Sequence, residues 1–394
     1  MQLLTFNAGS SSYKLSGFEI TTAAEPIDPF WQVQIDWQAD QTATLTQADG
    51  SVQVLESSDR TAWLETALET LPDHSAIAAV VHRVVHGGQQ LQAPVLVTSV
   101  VKAAIAQAAD LAPLHNPLNL AGIELMEQVF GSAMSQIAVF DTAFHQQMPV
   151  AAAIYGGPYA WSEQGYRRYG FHGISHQYLA ERCAQLSDRP LLELQLVTAH
   201  LGNGCSLAAI RNGHSVDTSM GFSPLEGLVM GSRSGSVDPG LLLQLLQQPD
   251  CSPSQLSTIL NQQSGLLGLS GRSNDVRELA IAAEAGDQRS QLALAAFTHS
   301  LRRHLGAMLA SLERLDALVF AGGIGENYRA LWPAVCERFA GLPIRLDPQA
   351  MAATGDRRIS RPDSAIAVWV IHSREDWQMV QLALPLLRSP QSFT

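Results

Sequence analysis

The turn His200-Leu201-Gly202-Asn203-Gly204 follows one apolar strand and leads at once into another, Ser206 to Arg211. Its glycines admit positive φ and close backbone approach, and a tight turn of this kind aims several N–H groups at one point, a geometry suited to phosphate. Asn212-Gly213 then gives a strong hairpin signal. Arg233 lies in Gly231-Ser232-Arg233-Ser234-Gly235, a mobile setting for a guanidinium that must grip an oxyanion. An ordinary glycine-rich hairpin and loop would explain any single such turn. The density of Gly, His, Asn and Arg between residues 197 and 240 favours a site.

Other stretches carry similar chemistry. Asn7-Ala8-Gly9-Ser10-Ser11-Ser12-Tyr13-Lys14 follows a short strand and brings N–H groups, hydroxyls and an ammonium to one turn. The G-x-x-x-x-G-K-[ST] spacing is absent, and a plain serine-rich turn reads equally well. Arg83 sits in a β-branched run, Ala76 to His86, that reads as a buried strand; a cation there requires a carboxylate or a bound anion. His82 and His86 share one face of that strand, and a metal pair is the weaker reading. Asp141 ends the strand Gln136 to Phe140, where α/β proteins place chemistry; a helix N-cap is the alternative. In Tyr166 to His176 (YRRYGFHGISH), His172 and His176 have metal-compatible spacing, but Gly173 lies between them and no acid is near. His172 therefore reads as a hydrogen-bond donor to an anion and His176 as structural. Ala321-Gly322-Gly323-Ile324-Gly325-Glu326-Asn327 after a strand suggests a glycine turn and an anion-binding helix N-terminus, without the G-x-G-x-x-G of a dinucleotide fold.

The elements that must hold these residues alternate between strand and helix. Helices are expected near residues 61–71, 97–111, 118–129, 177–186, 241–246, 253–261, 276–284 and 290–313. Pro113 and Pro117 bracket a rigid loop carrying His115 and Asn116. Residues 21–60 are polar and weakly patterned and read as strands and loops. A last strand, Ala365 to Ile371, leads through Arg374-Glu375-Asp376 into an apolar helix that Pro385 should kink or end. Thr5-Phe6-Asn7-Ala8-Gly9 aligns with Thr198-Ala199-His200-Leu201-Gly202, and each half later has a marked strand end, at Asp141 and at Gly322. That pattern suggests a duplication, with each half aiming a hairpin at a central cleft that clamps a nucleoside triphosphate.

A chain of 394 residues exceeds one hydrophobic core, so two domains are expected. With 46% hydrophobic and 15% charged residues, it has a globular balance. A net charge of −12 argues against nucleic acid as partner. Lysine occurs only at Lys14 and Lys102, which sets Lys14 apart. Cys183, Cys205, Cys251 and Cys336 are widely spaced, which suits reduced thiols in the cytoplasm. There is no charged start of a signal peptide and no apolar run long enough to span a bilayer.

The blocks NAGSSSYK, HRVVHGG, LAPLHNP, VFDTAFH, RYGFHGISH, HLGNGCS, DTSMGFSPLEGLVMGSRSGSVDPG and AGGIGEN, in this order, resemble the acetate kinase family over nearly the whole chain except about residues 20–75. The resemblance implies an α/β fold of two duplicated actin-like (ribonuclease H-like) domains with a central ligand cleft, as in the actin and sugar kinase superfamily. It implies an N-terminal domain of residues 1–146 plus 377–394 and a C-terminal one of 147–376. It also implies reversible phosphoryl transfer between ATP and acetate, giving ADP and acetyl phosphate, with Mg2+ or Mn2+, in a cytoplasmic homodimer. Arg83 and Arg233 would hold the carboxylate and the transferring group, and His172 its equatorial oxygens. Asp141 would orient an arginine or help place the metal. His115 and His200 would support the same site. Asn7 and Glu375 match the metal side, Lys14 the nucleotide-side cation, and Val85, Leu114, Phe171 and Pro224 a small acyl pocket. His200, Leu201, Gly202, Asn203 and Gly204 match the phosphate loop. Asp275, Val276 and Arg277, with Gly323, Ile324, Gly325, Glu326 and Asn327, match the adenosine segments.

The sequence departs from the family at Val81, where Gly is usual, and at Val276, where Phe is usual. It also departs at Arg374-Glu375-Asp376, where the family has Asn-Glu-Glu, leaving Asp376 as the alternative metal-side acid. Propionate or butyrate as acceptor, and an actin-like nucleotide switch, are the competing readings. Arg83 argues against the switch, which has no use for a buried cation.

Overall fold

Strand β1 (Gln2–Ala8) has its apolar residues on both faces because it lies inside a sheet, between an antiparallel and a parallel neighbour. The computed structural model describes residues 1–9, 12–20, 25–37, 43–55, 59–337, 339 and 341–388. The chain divides into two units, residues 1–143 with 374–394, and residues 144–373. Ser10 and Ser11 of the first expected phosphate turn, and parts of the weakly patterned 21–60 stretch, lie outside the described residues.

Among the described residues the first unit holds an eight-stranded sheet. Its other strands are β2 (Ser12–Glu19), β3 (Trp31–Trp37), β4 (Ala43–Gln47), β5 (Val52–Leu55), β6 (Ile77–Val84), β7 (Val95–Leu96) and β8 (Ser135–Phe140). The order is β5-β4-β3-β2-β1-β6-β8-β7. The second unit's sheet comprises β9 (Gln195–Leu201), β10 (Cys205–Arg211), β11 (His214–Thr218), β12 (Ala317–Ala321), β13 (Arg357–Arg358) and β14 (Ala367–Val370), ordered β11-β10-β9-β12-β14-β13.

The two sheets share one plan. In each, a three-stranded antiparallel meander is followed by two parallel strands and a short antiparallel edge strand. Strand order and direction agree at every junction from β3 to β7 and from β11 to β13, as a duplicated fold requires. The first unit adds β4 and β5 outside this plan. The shared plan also corrects one equivalence drawn from the sequence. Gly322 follows β12, the counterpart of β6, whereas Asp141 follows β8, the counterpart of β14; the two turns are not equivalent.

The parallel strands are β-branched and buried, and helices cover them. In the first unit, Trp63, Leu64, Ala67 and Leu68 of the helix Arg60–Glu69 pack with Phe6, Val33 and Ile35. The helix Glu375–Arg388 returns to this unit and seats Trp377 against Phe18, with ring centroids 5.9 Å apart. It continues through Pro385 to Arg388, so of the two outcomes expected of that proline, a kink or an end, the end does not occur. Two other expectations shift. Asn116 is the first residue of the helix Asn116–Phe130, not part of a loop, because Pro117 fits the first turn, where no N–H is needed. The helix expected from residue 177 starts at Gly173, placing His176 in its first turn. A short helix, Gly265–Ser270, had no sequence signal.

Candidate active site

In the first unit the strand β6 carries Arg83 beside Asn7 of β1, since Phe6 and His82 are register partners. Asp141, 1% exposed, follows β8 and accepts from Arg83 Nε at 2.9 Å and Nη2 at 2.6 Å. Arg83 Nη1 reaches Asn7 Oδ1 at 3.4 Å. This bidentate pairing supplies the carboxylate that the buried cation required. Burial opposes the charge of Arg83, and Asp141 together with Glu375 more than offsets it, so the guanidinium stays cationic. Asp141 thus engages the guanidinium of Arg83 with both of its carboxylate oxygens. Lys14 faces Asn7 across the β1–β2 pair and is exposed.

Two buried asparagines hold the ends of β1 and β6. Asn116 accepts from His86 N and donates to His86 O and Ile105 O. Asn119 accepts from Val85 N and donates to Ala8 O. These side chains replace ladder bonds where the strands diverge, and they fix the backbone on either side of Arg83. The i, i+3 spacing of two asparagines after a helix start was the available sequence signal. Val85 is half-buried, Leu114 is 53% exposed, and His115 is the N-cap residue of the helix Asn116–Phe130.

In the second unit, His172 caps the helix Gly173–Leu186 with φ 56° and ψ 25°. Left-handed backbone at a non-glycine residue is costly and recurs at functional positions. The ring is set by Ser206 Oγ on Nδ1 at 2.8 Å, and it stacks on His200 with centroids 4.4 Å apart. Gly204 adjoins both the His172 ring and the Arg233 guanidinium. A Cβ there would lie 3.3 Å from His172 Nε2 and 3.4 Å from Arg233 Nη1. The absence of a side chain at 204 is what lets an imidazole and a guanidinium converge.

Arg233 Nη1 donates to Pro224 O at 3.0 Å. Its loop is tied down, contrary to the mobile setting expected: Met230 N donates to Arg233 O, Ser234 N to Leu260 O and Gly231 N to Asn203 O. The preceding segment is fixed by Glu226, which accepts from Arg168 Nη2 and Tyr155 OH, both at 2.6 Å. Phe171 is buried at 1% exposure, and its carbonyl is bonded to His145 Nε2 at 3.1 Å.

The glycine segments differ from expectation in how their N–H groups are used. Gly202 N donates to Gly204 O at 3.0 Å, so that N–H is engaged within its own turn. Gly322 to Asn327 is itself a helix, and the anion at its N-terminus is the protein's own: Glu326 Oε1 accepts from Gly322 N at 2.9 Å. Glu326 also pairs with His372 at 2.6 Å and accepts from Ser373 N at 3.2 Å. Burial would raise its carboxyl, but His372 and these donors prevail and hold it below the usual range. Gly323, Ile324, Gly325 and Asn327 ride on the segment so clipped.

Asp275 caps the helix Val276–Glu284 through Arg277 N and pairs with the Arg277 side chain, itself 85% exposed. Val276 is buried.

As for a metal, Asn7 and Glu375 are hard oxygen donors of the kind Mg2+ prefers. Among the described residues no cluster of three or more His, Cys, Asp or Glu could hold a metal alone. That donor set fits a cation bound by one or two protein oxygens together with nucleotide phosphates. Asp376 is engaged in accepting from Trp377 N at 2.9 Å. No helix among the described residues is long and apolar enough to cross a membrane.

The model of the acetokinase family matches residues 2–381. The acetate kinase of Cyanothece sp. (strain PCC 7425 / ATCC 29141) is 48% identical over 406 residues, covering 99% of each chain. That of Gloeobacter violaceus is 48% identical, covering 97% of this chain and 98% of its own. The crystal structure of Porphyromonas gingivalis acetate kinase superposes with a TM-score of 0.90 at 35% identity, over 98% of this chain and all of the other (100%). A propionate kinase from Francisella tularensis reaches the same TM-score of 0.90 at 35% identity, over 97% and 98%.

Proposed function

The chain belongs to the acetokinase family, and from that premise we infer that it transfers the γ-phosphoryl group of ATP to acetate, reversibly, giving acetyl phosphate and ADP. A carboxylate oxygen of acetate forms a bond to the γ-phosphorus. The bond from that phosphorus to the β–γ bridging oxygen breaks, and ADP leaves with the electron pair. No proton changes hands, because the acceptor is already ionised. The work is positioning and neutralisation of charge.

The observation that carries this reading is the convergence of His172 Nε2 and Arg233 Nη1 beside Gly204. An imidazole and a guanidinium there suit the equatorial oxygens of a transferring phosphoryl group. Arg83, held flat by Asp141, suits the carboxylate or the same phosphoryl group. Asp141 is unsuited to be a base, since both its oxygens accept from Arg83. Lys14, His200, Leu201, Gly202, Asn203 and Gly204 are assigned to the phosphates, with His115 and His200 in support. Asp275 to Arg277 and Gly323 to Asn327 are assigned to the adenosine, Glu326 as the clip of its own segment. Val85, Leu114, Phe171 and Pro224 are assigned to the methyl group of acetate.

Asn7 and Glu375 would hold Mg2+, which when bound neutralises the nucleotide phosphates. Asp376 already accepts from Trp377 N, which supports Glu375 over it. The wide spacing of Cys183, Cys205, Cys251 and Cys336, with no C-x-x-C, supports a reducing compartment, the cytoplasm. A homodimer is proposed on the family resemblance.

Hydroxylamine trapping of acyl phosphate formed from ATP, Mg2+ and acetate, propionate or butyrate tests the reaction. Activity favouring acetate and abolished by Arg233→Ala is expected. Preference for a longer acid would move the substrate and keep the mechanism, and a missing methylene is worth only about 1–3 kcal/mol. No product from any acid would overturn the reading.

A further inference from the structure

Behind His172 lies a row of buried hydroxyls and one histidine whose hydrogen bonds run in a single direction. Thr198 and His200 point to the same face of β9, and Ser206 of β10 is the register partner of His200. Thr198, Ser206 and His176 are each 0% exposed. Thr198 Oγ1 lies 2.7 Å from His176 Nδ1, His176 Nε2 lies 2.8 Å from Ser206 Oγ, and Ser206 Oγ lies 2.8 Å from His172 Nδ1.

The direction follows from the far end. Among the described residues Thr198 Oγ1 makes no side-chain hydrogen bond except the one to His176. If it accepted that bond, its own hydrogen would be buried without an acceptor, which is dearer than an unfilled lone pair. Thr198 therefore donates, and His176 Nδ1 accepts. Burial keeps the His176 ring neutral, far below its ordinary value, so its one hydrogen is on Nε2. That hydrogen goes to Ser206 Oγ. The single hydrogen of Ser206 is left for His172 Nδ1, and the N–H of a neutral His172 must then be Nε2, the nitrogen beside Gly204.

We propose that Thr198, His176 and Ser206 form a one-way hydrogen-bond chain that fixes His172 as the neutral Nε2–H tautomer, making Ser206 and His176 positioning residues for phosphoryl transfer. The role in transfer rests on the reading that His172 Nε2 meets the transferring group; the tautomer does not. Without the chain, a neutral imidazole would divide between two tautomers, and one of them would aim a lone pair at phosphate oxygens.

The test is a long-range proton–nitrogen correlation spectrum of the full chain labelled with nitrogen-15 histidine, without nucleotide, His172 being assigned by its loss in His172→Gln. His172 and His176 should both show the Nε2–H pattern. Ser206→Ala should move His172 toward the Nδ1–H form, whereas Thr198→Val, which leaves His176 Nδ1 only an unfilled lone pair, should not. Ser206→Ala should lower kcat on the order of ten- to a hundredfold with KM for acetate little changed, and Ser206→Thr should restore both readouts. An Nδ1–H His172 in the unaltered protein would overturn the chain, whether or not the variants fold. So would a tautomer unmoved by Ser206→Ala. A moved tautomer with unchanged kcat would overturn the positioning role. Failure of the functional reading would show separately, as absence of acyl phosphate from the unaltered protein.

Discussion

Asp141 gives both carboxylate oxygens to one guanidinium, that of Arg83, at 2.9 Å and 2.6 Å. The acid is almost wholly buried, while the Arg83 side chain keeps 19% of its surface. The pair thus holds a cation flat at the end of two parallel strands, with its remaining nitrogen toward Asn7.

Asp141→Ala leaves that cation buried without its partner. Loss of one member of such a pair destabilises by about 3–5 kcal/mol, so the unfolding midpoint in urea should fall clearly. Asp141→Asn should lose less stability and still reduce kcat/KM on the order of a hundredfold. Arg83→Lys should not rescue, since an ammonium lacks the fork that engages two oxygens. Unaltered stability in Asp141→Ala would mean that the pair is not what holds Arg83.

Gly204 and Gly213 should respond in opposite ways to alanine. At 204 the new methyl group would press on His172 and Arg233 at 3.2–3.4 Å, so kcat should drop while the melting temperature barely moves. At 213, φ is 77° and the nearest atom is 3.4 Å away. There the strain is in the backbone, about 1–2 kcal/mol, and activity should survive. Paired melting curves and initial rates separate the two.

The buried histidines make the fold sensitive to mild acid. Burial lowers His82, His86 and His145 from 6.5 to about 4, and it also holds His176 well below 6.5. Their folded values lie below the unfolded ones, so the unfolded chain takes up protons first as pH falls. Their contribution is whole above about pH 6.5. It declines as pH falls from there, by up to about 1.4 kcal/mol per pH unit for each histidine. For the first three it levels off below about pH 4. His82 and His86 belong to the first unit and His145 and His176 to the second, so both should lose stability in this window. Urea titrations at about pH 7.5 and about pH 5 measure it; equal midpoints would contradict it.

Much of this was legible because certain residues are expensive where they stand. A cation in Val80-Val81-His82-Arg83-Val84 demanded a carboxylate, and Asp141 is that carboxylate, though 58 positions of separation hid the pairing. Asn212-Gly213 announced its hairpin, and both residues have positive φ, 54° and 77°. Other features depend on tertiary structure. The left-handed backbone of His172 has no signature in a non-glycine residue. Asn116 and Asn119 look like loop and helix surface until the strand ends they hold are in place. Glu326 resembles a ligand contact until Gly322 is found four residues back in the same turn. Strand β5 was obscure because Val52 and Val54 are exposed at 64% and 66% on a sheet edge, where no buried face imposes alternation.

The first unit is discontinuous, and this bears on how the chain matures during synthesis. Strands β1 to β8 leave the ribosome before any residue of the second unit, yet they lack the helix Glu375–Arg388, whose Trp377, Met379, Val380, Ala383 and Leu384 are buried. That helix emerges only after residues 144–373, a continuous unit able to fold in one pass. The half made first is therefore completed last. Until that helix is made, Phe18 lacks the indole that later covers it.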